Sequence, residues 1–583
     1  MSRRTGIAIA AASGLAASVF TSPASAVQLD LQLLNAFTTS TGARDQSAEI
    51  LDYSADQNTV ASTMAGTSGF GVQVLTLGNA GSLSERGIVT FNTAFGAGTV
   101  LSASSTALDP LQRGFGVVSL IPTANGTTQG KIGFYDYRTG SVGAITTVDV
   151  GFHPDSVKFS ADGTKLYVIN EGEYTSGGAT DAPGSISIID LSSVSTIGDV
   201  SSLTSSAVST YDFQASNLGA GVSISGVRYN MADAALPANQ YRHVEPEFLT
   251  EKNGKLFVSL QENNAIAEFD LTSSKWTAVR NLGTITQTID ASDRDDPDGA
   301  GPLTRSAAIN DVVAGLPMPD AIATFQLNGN TYIVSANEGD FQISDLDRAR
   351  VSALPASGPG SVDASVAATL NSLYGGNYRA NGALGRLQVS IRDGDTDGDG
   401  DIDVLTMAGT RSFSIWDANT GALVEDSGSL ESILLALDPA THNIDSEAFS
   451  SSLATLFDTR SPSKGPEPEA LTLAEVGGTP LLFIGMERQN GLLAFDLSDP
   501  NNPVLLDYIN SFANGLFAPE SLLFIDAANS PTGQSLLLGG YEQNGGGIGV
   551  YSATIVPIPA TLPLFGAGLA ALGLIRRRRL ATS

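Results

Sequence analysis

The chain has 583 residues, a formal net charge of −30, 63 glycines and no cysteine. A surface this acidic repels nucleic acid and anionic membranes and attracts cations, so nucleic acid is excluded as a partner. The missing cysteines exclude disulfides and thiolate–zinc sites, and the glycines suit many short strands joined by turns.

Residues 1–26 have the pattern of a secretory signal peptide. Arg3 and Arg4 form a basic start, residues 6–20 are apolar, and residues 24–26 form a small-residue cleavage site. The apolar run is too short for a membrane anchor. We therefore expect the export machinery to carry the mature chain out of the cytoplasm.

The first predicted strands lie between residue 27 and about residue 150. Residues 48–53 and 71–77 predict one hairpin because apolar residues cluster there between turn signals. Residues 115–121 and 131–135 predict a second hairpin, with an Asn-Gly turn signal between them.

One sequence motif occurs five times, and its first copy begins at residue 153. Each copy has an acid that follows a proline, two short apolar strands, and a second acid at the end of the second strand. In an antiparallel pair the start of the first strand lies beside the end of the second, so each copy is expected to hold two carboxylates at one sheet edge. The pairs are Asp155/Glu171, Glu247/Glu262, Asp320/Glu338, Glu469/Glu487 and Glu520/Glu542.

Two hairpins and five acid-bracketed units predict an all-β protein, a β-propeller of seven blades over residues 27–554. A two-sheet sandwich is the alternative, but it does not need seven similar units. An insertion at about residues 341–404, with a short helix at 362–374, interrupts the blade that starts at residue 318. Strands between residues 387 and 416 are expected to complete that blade.

The ten acids are predicted to gather around the central channel if the first strand of each unit is innermost. Carboxylates crowded in this way repel one another unless cations, basic side chains or raised pKa values relieve them. Two interpretations therefore stay open. The acids form a metal or ligand site, or they hold the ring together by pairing with bases such as Lys464, Arg488 and Arg460.

An aspartate-rich loop lies in the insertion and carries six alternating acids: Asp393, Asp395, Asp397, Asp399, Asp401 and Asp403. Asp395, Asp397 and Asp399 take the first three ligand positions of a calcium loop, and Gly400 allows its tight turn. Thr406 stands where a calcium loop of the EF-hand type has a bidentate acid, and no EF-hand helices are predicted. We predict calcium as the cofactor, with a solvated acidic turn as the alternative.

Catalytic motifs are few. The histidines are His153, His243 and His442, and no nucleophile elbow, phosphate-binding loop or zinc-protease motif is present. Any bound metal is therefore expected to have oxygen ligands, which favours calcium or magnesium over zinc.

Residues 555–583 form a predicted C-terminal sorting signal. Val-Pro-Ile-Pro-Ala at 556–560 precedes an apolar stretch and four arginines at 576–579. The apolar stretch is shorter than the roughly 20 residues of a transmembrane helix. These parts resemble the PEP-CTERM class of exosortase signals in its Val-Pro-x-Pro-Ala variant. The resemblance implies a Gram-negative source, transient membrane contact and an exosortase-type processing enzyme as partner; a simple C-terminal anchor is the alternative.

Several strings carry a resemblance to a known family: HPDSVKFSADGTKLYVINEGE from residue 153, LQENN from residue 260, ANEGD from residue 336 and KGPEPEALTL from residue 464. Over nearly the whole mature chain the sequence resembles the choice-of-anchor I family. These are exported bacterial proteins related to the mesenchyme-specific cell-surface glycoproteins of biomineralising animals. The resemblance implies a propeller-like domain, often with calcium, in the cell envelope, at the cell surface or outside the cell.

Two functions agree with these observations. The first is a calcium-stabilised envelope or extracellular-matrix protein with a structural or binding role, for which an extracellular polysaccharide or matrix is a candidate partner. The second is a calcium-dependent phosphoesterase, alkaline-phosphatase-like or phytase-like, whose acid-lined channel mouth holds metal ions and, through them, a phosphate. The sequence leaves open whether the protein is an enzyme.

Overall fold

The computed structural model describes residues 27–38, 47–66, 69–96, 100–172, 181–229, 239–294, 305–341, 347–448, 452–544 and 546–557. The predicted signal peptide (1–26) and nearly all of the predicted sorting tail (558–583) lie outside the described residues. The chain divides into two compact units, of which one is Leu29–Ile555 and the other combines Met1–Gln28 with Val556–Ser583. The fold below is that of the first unit.

Most regular structure is β. The strands of the first half are β1 (Val27–Thr38), β2 (Leu51–Ser54), β3 (Thr59–Gly66), β4 (Gly69–Leu77), β5 (Leu83–Thr90), β6 (Val100–Ser102), β7 (Thr106–Leu108), β8 (Phe115–Pro122), β9 (Lys131–Asp136), β10 (Gly143–Asp149), β11 (Pro154–Phe159), β12 (Lys165–Asn170), β13 (Ser185–Asp190), β14 (Val208–Asp212), β15 (Leu249–Lys252), β16 (Lys255–Leu260), β17 (Ala265–Asp270) and β18 (Lys275–Asn281).

The strands of the second half are β19 (Ile285–Ile289), β20 (Asp311–Leu316), β21 (Ile322–Leu327), β22 (Asn330–Asn337), β23 (Arg348–Arg350), β24 (Gln388–Ser390), β25 (Thr406–Ala408), β26 (Ser412–Asp417), β27 (Leu423–Asp426), β28 (Pro468–Val476), β29 (Thr479–Met486), β30 (Gly491–Asp496), β31 (Val504–Asn510), β32 (Pro519–Ile525), β33 (Leu536–Tyr541) and β34 (Gly547–Pro557). Within the described ranges the α-helices are α1 (Ile197–Val200), α2 (Ala364–Leu373), α3 (Glu431–Leu437) and α4 (Leu453–Leu456).

Sheets of four or five strands follow one another along the chain, and we call each of them a blade. In order, they are β2–β5, β6–β10, β11–β14, β15–β18, β21-β22-β26-β27, β28–β31, and β32–β34 joined by β1. The innermost strands contact their neighbours in a closed cycle, β2, β7, β11, β15, β21, β28, β32 and back to β2. This is the topology of a β-propeller, so the predicted all-β propeller class is confirmed. Strand β1 completes the last blade, which interlocks the two ends of the ring.

The core lies between neighbouring blades. Leu481 and Phe483 of β29 pack into one buried cluster, whereas Leu482 and Ile484 pack into the next. Successive side chains of a strand point to opposite faces, so a strand between two packed sheets must be apolar at every position. This explains the unbroken apolar run in β29, where these four side chains have no exposed surface.

The first predicted hairpin needs correction. Residues 51–54 and 71–77 lie in the same blade, but each pairs with β3 and not with the other. Strand β3 carries Thr59, Ser62 and Thr63, and these polar residues hide its β pattern in the sequence. The second predicted hairpin is confirmed, since β8 pairs with β9.

The insertion also differs from prediction. Strand β24 pairs with β23, and β25 pairs in parallel with β20, so neither strand joins the interrupted blade. Only β26 and β27 complete that blade, because β26 has the length to pair along β22. The predicted short helix is α2, whose N-cap Asp363 accepts from the backbone N–H groups of Ser365 and Val366. Among the described residues no helix is long and apolar enough to span a membrane.

Candidate cation site at the channel mouth

A repeated backbone turn places the first acid of each pair. The residue before the proline has a left-handed backbone in four of the blades: His153 (φ 47°), Met318 (φ 45°), Glu467 (φ 55°) and Ala518 (φ 57°). Non-glycine residues seldom adopt this conformation, and the surrounding structure must hold them in it. Strand pairing then slips between Pro154 and Ser156, with equivalent slips at Pro468 and Pro519. The acid after each of these three prolines therefore lies in a bulge and leaves the regular ladder.

The same turn anchors the second acid beside the first. The backbone N–H of Glu171 donates to the carbonyl of His153 at 2.8 Å, and that of Glu487 to the carbonyl of Glu467 at 2.8 Å. The N–H of Glu542 donates to the carbonyl of Ala518 at 3.1 Å. The left-handed residue thus sets the position of both carboxylates in a pair.

Nine of the ten predicted acids line a single cavity of about 350 Å³ at this end of the channel: Asp155, Glu171, Glu247, Asp320, Glu338, Glu469, Glu487, Glu520 and Glu542. The tenth, Glu262, is adjacent, because carboxylate oxygens of Glu171, Glu247 and Glu262 lie within 4.8 Å of one another. Glu49 and Asp340 also line the cavity, and sequence reasoning missed both. Glu49 follows a left-handed Ala48 (φ 62°) but no proline, so the sequence lacked the signal.

The carboxylates strongly perturb one another. Burial, followed by the charge of neighbouring acids, raises the pKa of several groups well above the usual range: Glu49, Glu247, Asp320, Glu469 and Glu487. Burial also raises the pKa of Glu520 to about 8. Ionising these groups together is costly, and a cation among them offsets that cost.

Among the described residues that line the acidic cavity, the lysine and arginine are Lys464 and Arg488, which lie on one side of it. Lys464 Nζ contacts Glu338 and lies 3.0 Å from Glu467 Oε2, while Arg460 Nε donates to Glu467 Oε1 at 2.9 Å. Arg488 lies 3.1 Å from Glu487 and also contacts Glu447. Burial opposes ionisation of Glu467, but Arg460 and Lys464 outweigh it and lower the pKa of Glu467. On this basic side, between the fifth and sixth blades, the carboxylates are therefore paired with basic side chains.

The junction between the third and fourth blades, two blades away along the ring, is different. Glu247 is 8% exposed, and its Oε2 makes no hydrogen bond to any described residue. Burial and the neighbouring Glu262 raise its pKa. A buried carboxylate oxygen without a partner, next to two further glutamates, is the arrangement expected of a ligand for a hard cation.

The aspartate loop connects to the same side. Carboxylate oxygens of the exposed Asp395, Asp397 and Asp399 lie within 4.8 Å of one another. Asp393, in contrast, accepts from Arg228 Nε at 2.9 Å, and Arg228 Nη1 donates to the backbone carbonyl of Glu262 at 3.2 Å. Arg228 thus ties the start of the loop to the fourth blade, and Asp393 is already engaged in an ion pair.

Asp401 and Asp403, the remaining predicted ligands of the loop, make hydrogen bonds within the loop. Asp403 accepts from Thr396 through the backbone N–H and the hydroxyl, at 2.8 and 2.7 Å. The backbone N–H of Asp401 donates to Asp399 at 3.1 Å. Two of the three histidines lie beside acids: His153 is 3.6 Å from Glu171, and His243 is 3.3 Å from Asp181.

A second, larger cavity of about 790 Å³ lies along the innermost strands, and it shares Ile50, Phe248 and Glu520 with the acid-lined cavity. Its lining includes Asp52 and Lys158. Burial raises the pKa of Asp52 to about 6 and lowers the pKa of Lys158. The channel therefore has an acidic mouth and a roomier polar region of mixed charge.

Comparison with known proteins gives a family. Gigasin-3a of Magallana gigas is 30% identical over 171 residues, which cover 27% of this chain and 60% of that protein. Among solved structures, hydrazine synthase of Kuenenia stuttgartiensis shares 11% identity at a TM-score of 0.42, covering 89% of this chain and 97% of its own. The periplasmic gluconolactonase of Pseudomonas aeruginosa shares 12% at a TM-score of 0.39, covering 91% and 99%. Likenesses this distant carry no argument about activity. Residues 49–500, in contrast, match the choice-of-anchor I domain, and the chain belongs to that family.

Proposed function

We propose that this protein is an exported cell-envelope or extracellular-matrix propeller that calcium stabilises, with a structural or binding role. Membership of the choice-of-anchor I domain family indicates an exported surface protein. The observation that carries the calcium proposal is the buried Glu247, whose Oε2 has no hydrogen-bond partner among the described residues and which lies against Glu171 and Glu262.

Calcium suits this group because it takes six to eight oxygen ligands in a flexible geometry. Glu171 follows the second strand of the third blade, whereas Glu247 and Glu262 flank the first two strands of the fourth. A cation bound by all three joins two neighbouring blades. Since it binds only the folded ring, it adds about 2.7 kcal/mol of stability at a hundredfold excess over its dissociation constant.

The aspartate loop is the second proposed calcium position, with Asp395, Asp397 and Asp399 as its central ligands. Arg228 connects this loop to the fourth blade through Asp393 and the carbonyl of Glu262. Calcium in the loop therefore orders a segment that is bonded to the same blade as the channel site.

Phosphoesterase activity is the less favoured function. The bases at the channel mouth, Lys464, Arg460 and Arg488, are already paired with carboxylates, and a phosphate would meet mainly negative charge there. Only bound cations would make the mouth attractive to a phosphate ester. We assign the larger cavity to a binding role, with a segment of extracellular polysaccharide or matrix as its occupant. Exosortase-type processing of the tail completes the proposal.

Calcium titration of the purified mature protein tests this function. Calcium should raise the melting temperature of the wild type, and Glu247→Gln should remove much of that rise. Glu475→Gln is the matched control, because Glu475 is an exposed glutamate on β28 away from the channel mouth. Equal calcium responses in both variants would overturn the channel site. A parallel assay of phosphomonoesters and phosphodiesters, with calcium and with chelator, decides between the binding and catalytic functions.

A further inference from the structure

A buried group of possible metal ligands lies outside the channel. Ligand atoms of Asp290, His442 and Asp458 lie within 4.8 Å of one another. Asp290 follows β19, which forms a three-stranded sheet outside the blades with β20 and β25, and we call this the extra sheet. His442 and Asp458 lie on either side of α4, between the fifth and sixth blades. Asp290 and His442 are 152 residues apart in the chain, yet Asp290 Oδ2 lies 2.9 Å from His442 Nε2.

The group is enclosed and held by the backbone. The three side chains are at most 1% exposed. The backbone N–H of Asp458 donates to the carbonyl of His442 at 2.9 Å, and the imidazole ring packs against Phe457 with centroids 5.8 Å apart. His442 Nδ1 is buried and makes no hydrogen bond to any described residue. Nε2 is the ring nitrogen that faces Asp290, so it is the nitrogen that this group offers to a cation.

The local charge also favours a cation. Arg411 is the nearby buried base, but its Nη1 is paired with Glu431 at 2.6 Å and donates to the backbone carbonyl of Asp290 at 2.8 Å. Glu431 in turn accepts from the backbone N–H of Asp290 at 3.1 Å. Asp290 and Asp458 bring two carboxylates to the imidazole, while Arg411 is engaged with Glu431. A divalent cation offsets that charge.

We propose that Asp290, His442 and Asp458 bind a structural divalent transition metal of the zinc or manganese class, which fastens the extra sheet to the helical segment between two blades. One imidazole and two carboxylates suit these ions, whereas calcium prefers oxygen ligands alone. The site is closed to solvent, so the metal enters while the chain folds and its binding contributes to folding stability. This departs from the expectation, drawn from the sequence, that every bound metal has only oxygen ligands.

The test begins with elemental analysis of the full chain purified without chelator. Wild-type protein is expected to hold about one equivalent of zinc or manganese per chain. His442→Gln should lower the metal content about tenfold or more. His243→Gln is the matched control, since His243 is likewise buried next to an aspartate, Asp181, and it should leave the metal content unchanged.

A second measurement covers the case in which His442→Gln does not fold. Wild type is unfolded in chelator and refolded in zinc, in manganese, in cobalt or without metal. Refolding with metal should restore a higher melting temperature, and cobalt should give visible absorption bands. The proposal is overturned if purified wild type contains neither zinc nor manganese and refolds equally well without metal.

Discussion

Glu467 and Glu247 are both buried glutamates of the propeller mouth, yet in chelator only the replacement of Glu467 by glutamine is expected to destabilise the fold. Glu467 has no exposed surface and lies 2.9 Å from Arg460, 3.0 Å from Lys464 and 3.5 Å from Arg488. At an effective dielectric of about 20, each contact near 3 Å is worth roughly 5 kcal/mol of attraction before desolvation is subtracted. Removing one partner of a buried pair costs about 3–5 kcal/mol, because the other charge stays buried and unpaired.

Glu247→Gln removes a carboxylate whose pKa is raised by burial and by Glu262. In chelator this variant should be at least as stable as wild type, since one repulsive charge is gone. With calcium it should fall below wild type, because a proposed ligand is missing. Glu467→Gln should instead be destabilised by about 3–5 kcal/mol with or without calcium.

Urea unfolding of wild type and both variants, each with calcium and with chelator, measures these differences. Unchanged slopes of free energy against urea would show that the same folded unit unfolds in every sample. The division of the mouth into a basic side and a cation side is refuted if both variants lose the same free energy in chelator. It is also refuted if Glu247→Gln keeps the full calcium response.

Three further outcomes are expected. In chelator, the free energy of unfolding should rise as pH falls from about 8 towards 5. The reason is that folding raises the pKa of Glu520 to about 8 and also raises that of Glu247, so protonation favours the folded state. Calcium should flatten this trend. Melting curves across that pH range check it, and a loss of stability on acidification in chelator would contradict it. Asp397→Ala combined with Asp399→Ala should remove part of the calcium-dependent rise in melting temperature, whereas Asp499→Asn in an exposed turn should not; a full rise in the double variant leaves the loop as a solvated turn. Intact mass of the protein from its native host should lack the four arginines at 576–579, and their retention would argue for a simple anchor.

Local sequence was sufficient for the repeated unit. A proline followed by an acid, two apolar strands and a second acid are all short-range features, and antiparallel pairing dictates that the two acids meet. The placement of Glu469 and Glu487 in one cavity follows from this pattern alone. The propeller class follows too, because many similar meanders with little helix between them need a ring to bury both faces of each sheet.

Tertiary structure decided which charges meet across the ring. Lys464 contacts Glu338, 126 residues away, and nothing in the spacing of the motifs shows this pair. Glu49 enters the mouth because ring closure brings the first blade beside the last, although its motif lacks the proline. Parallel pairing of β25 with β20 and the approach of His442 to Asp290 likewise depend on how distant segments pack. Residue patterns specify hydrogen-bonded neighbours along a blade, whereas contacts between blades and insertions depend on the closed shape, which no local pattern encodes.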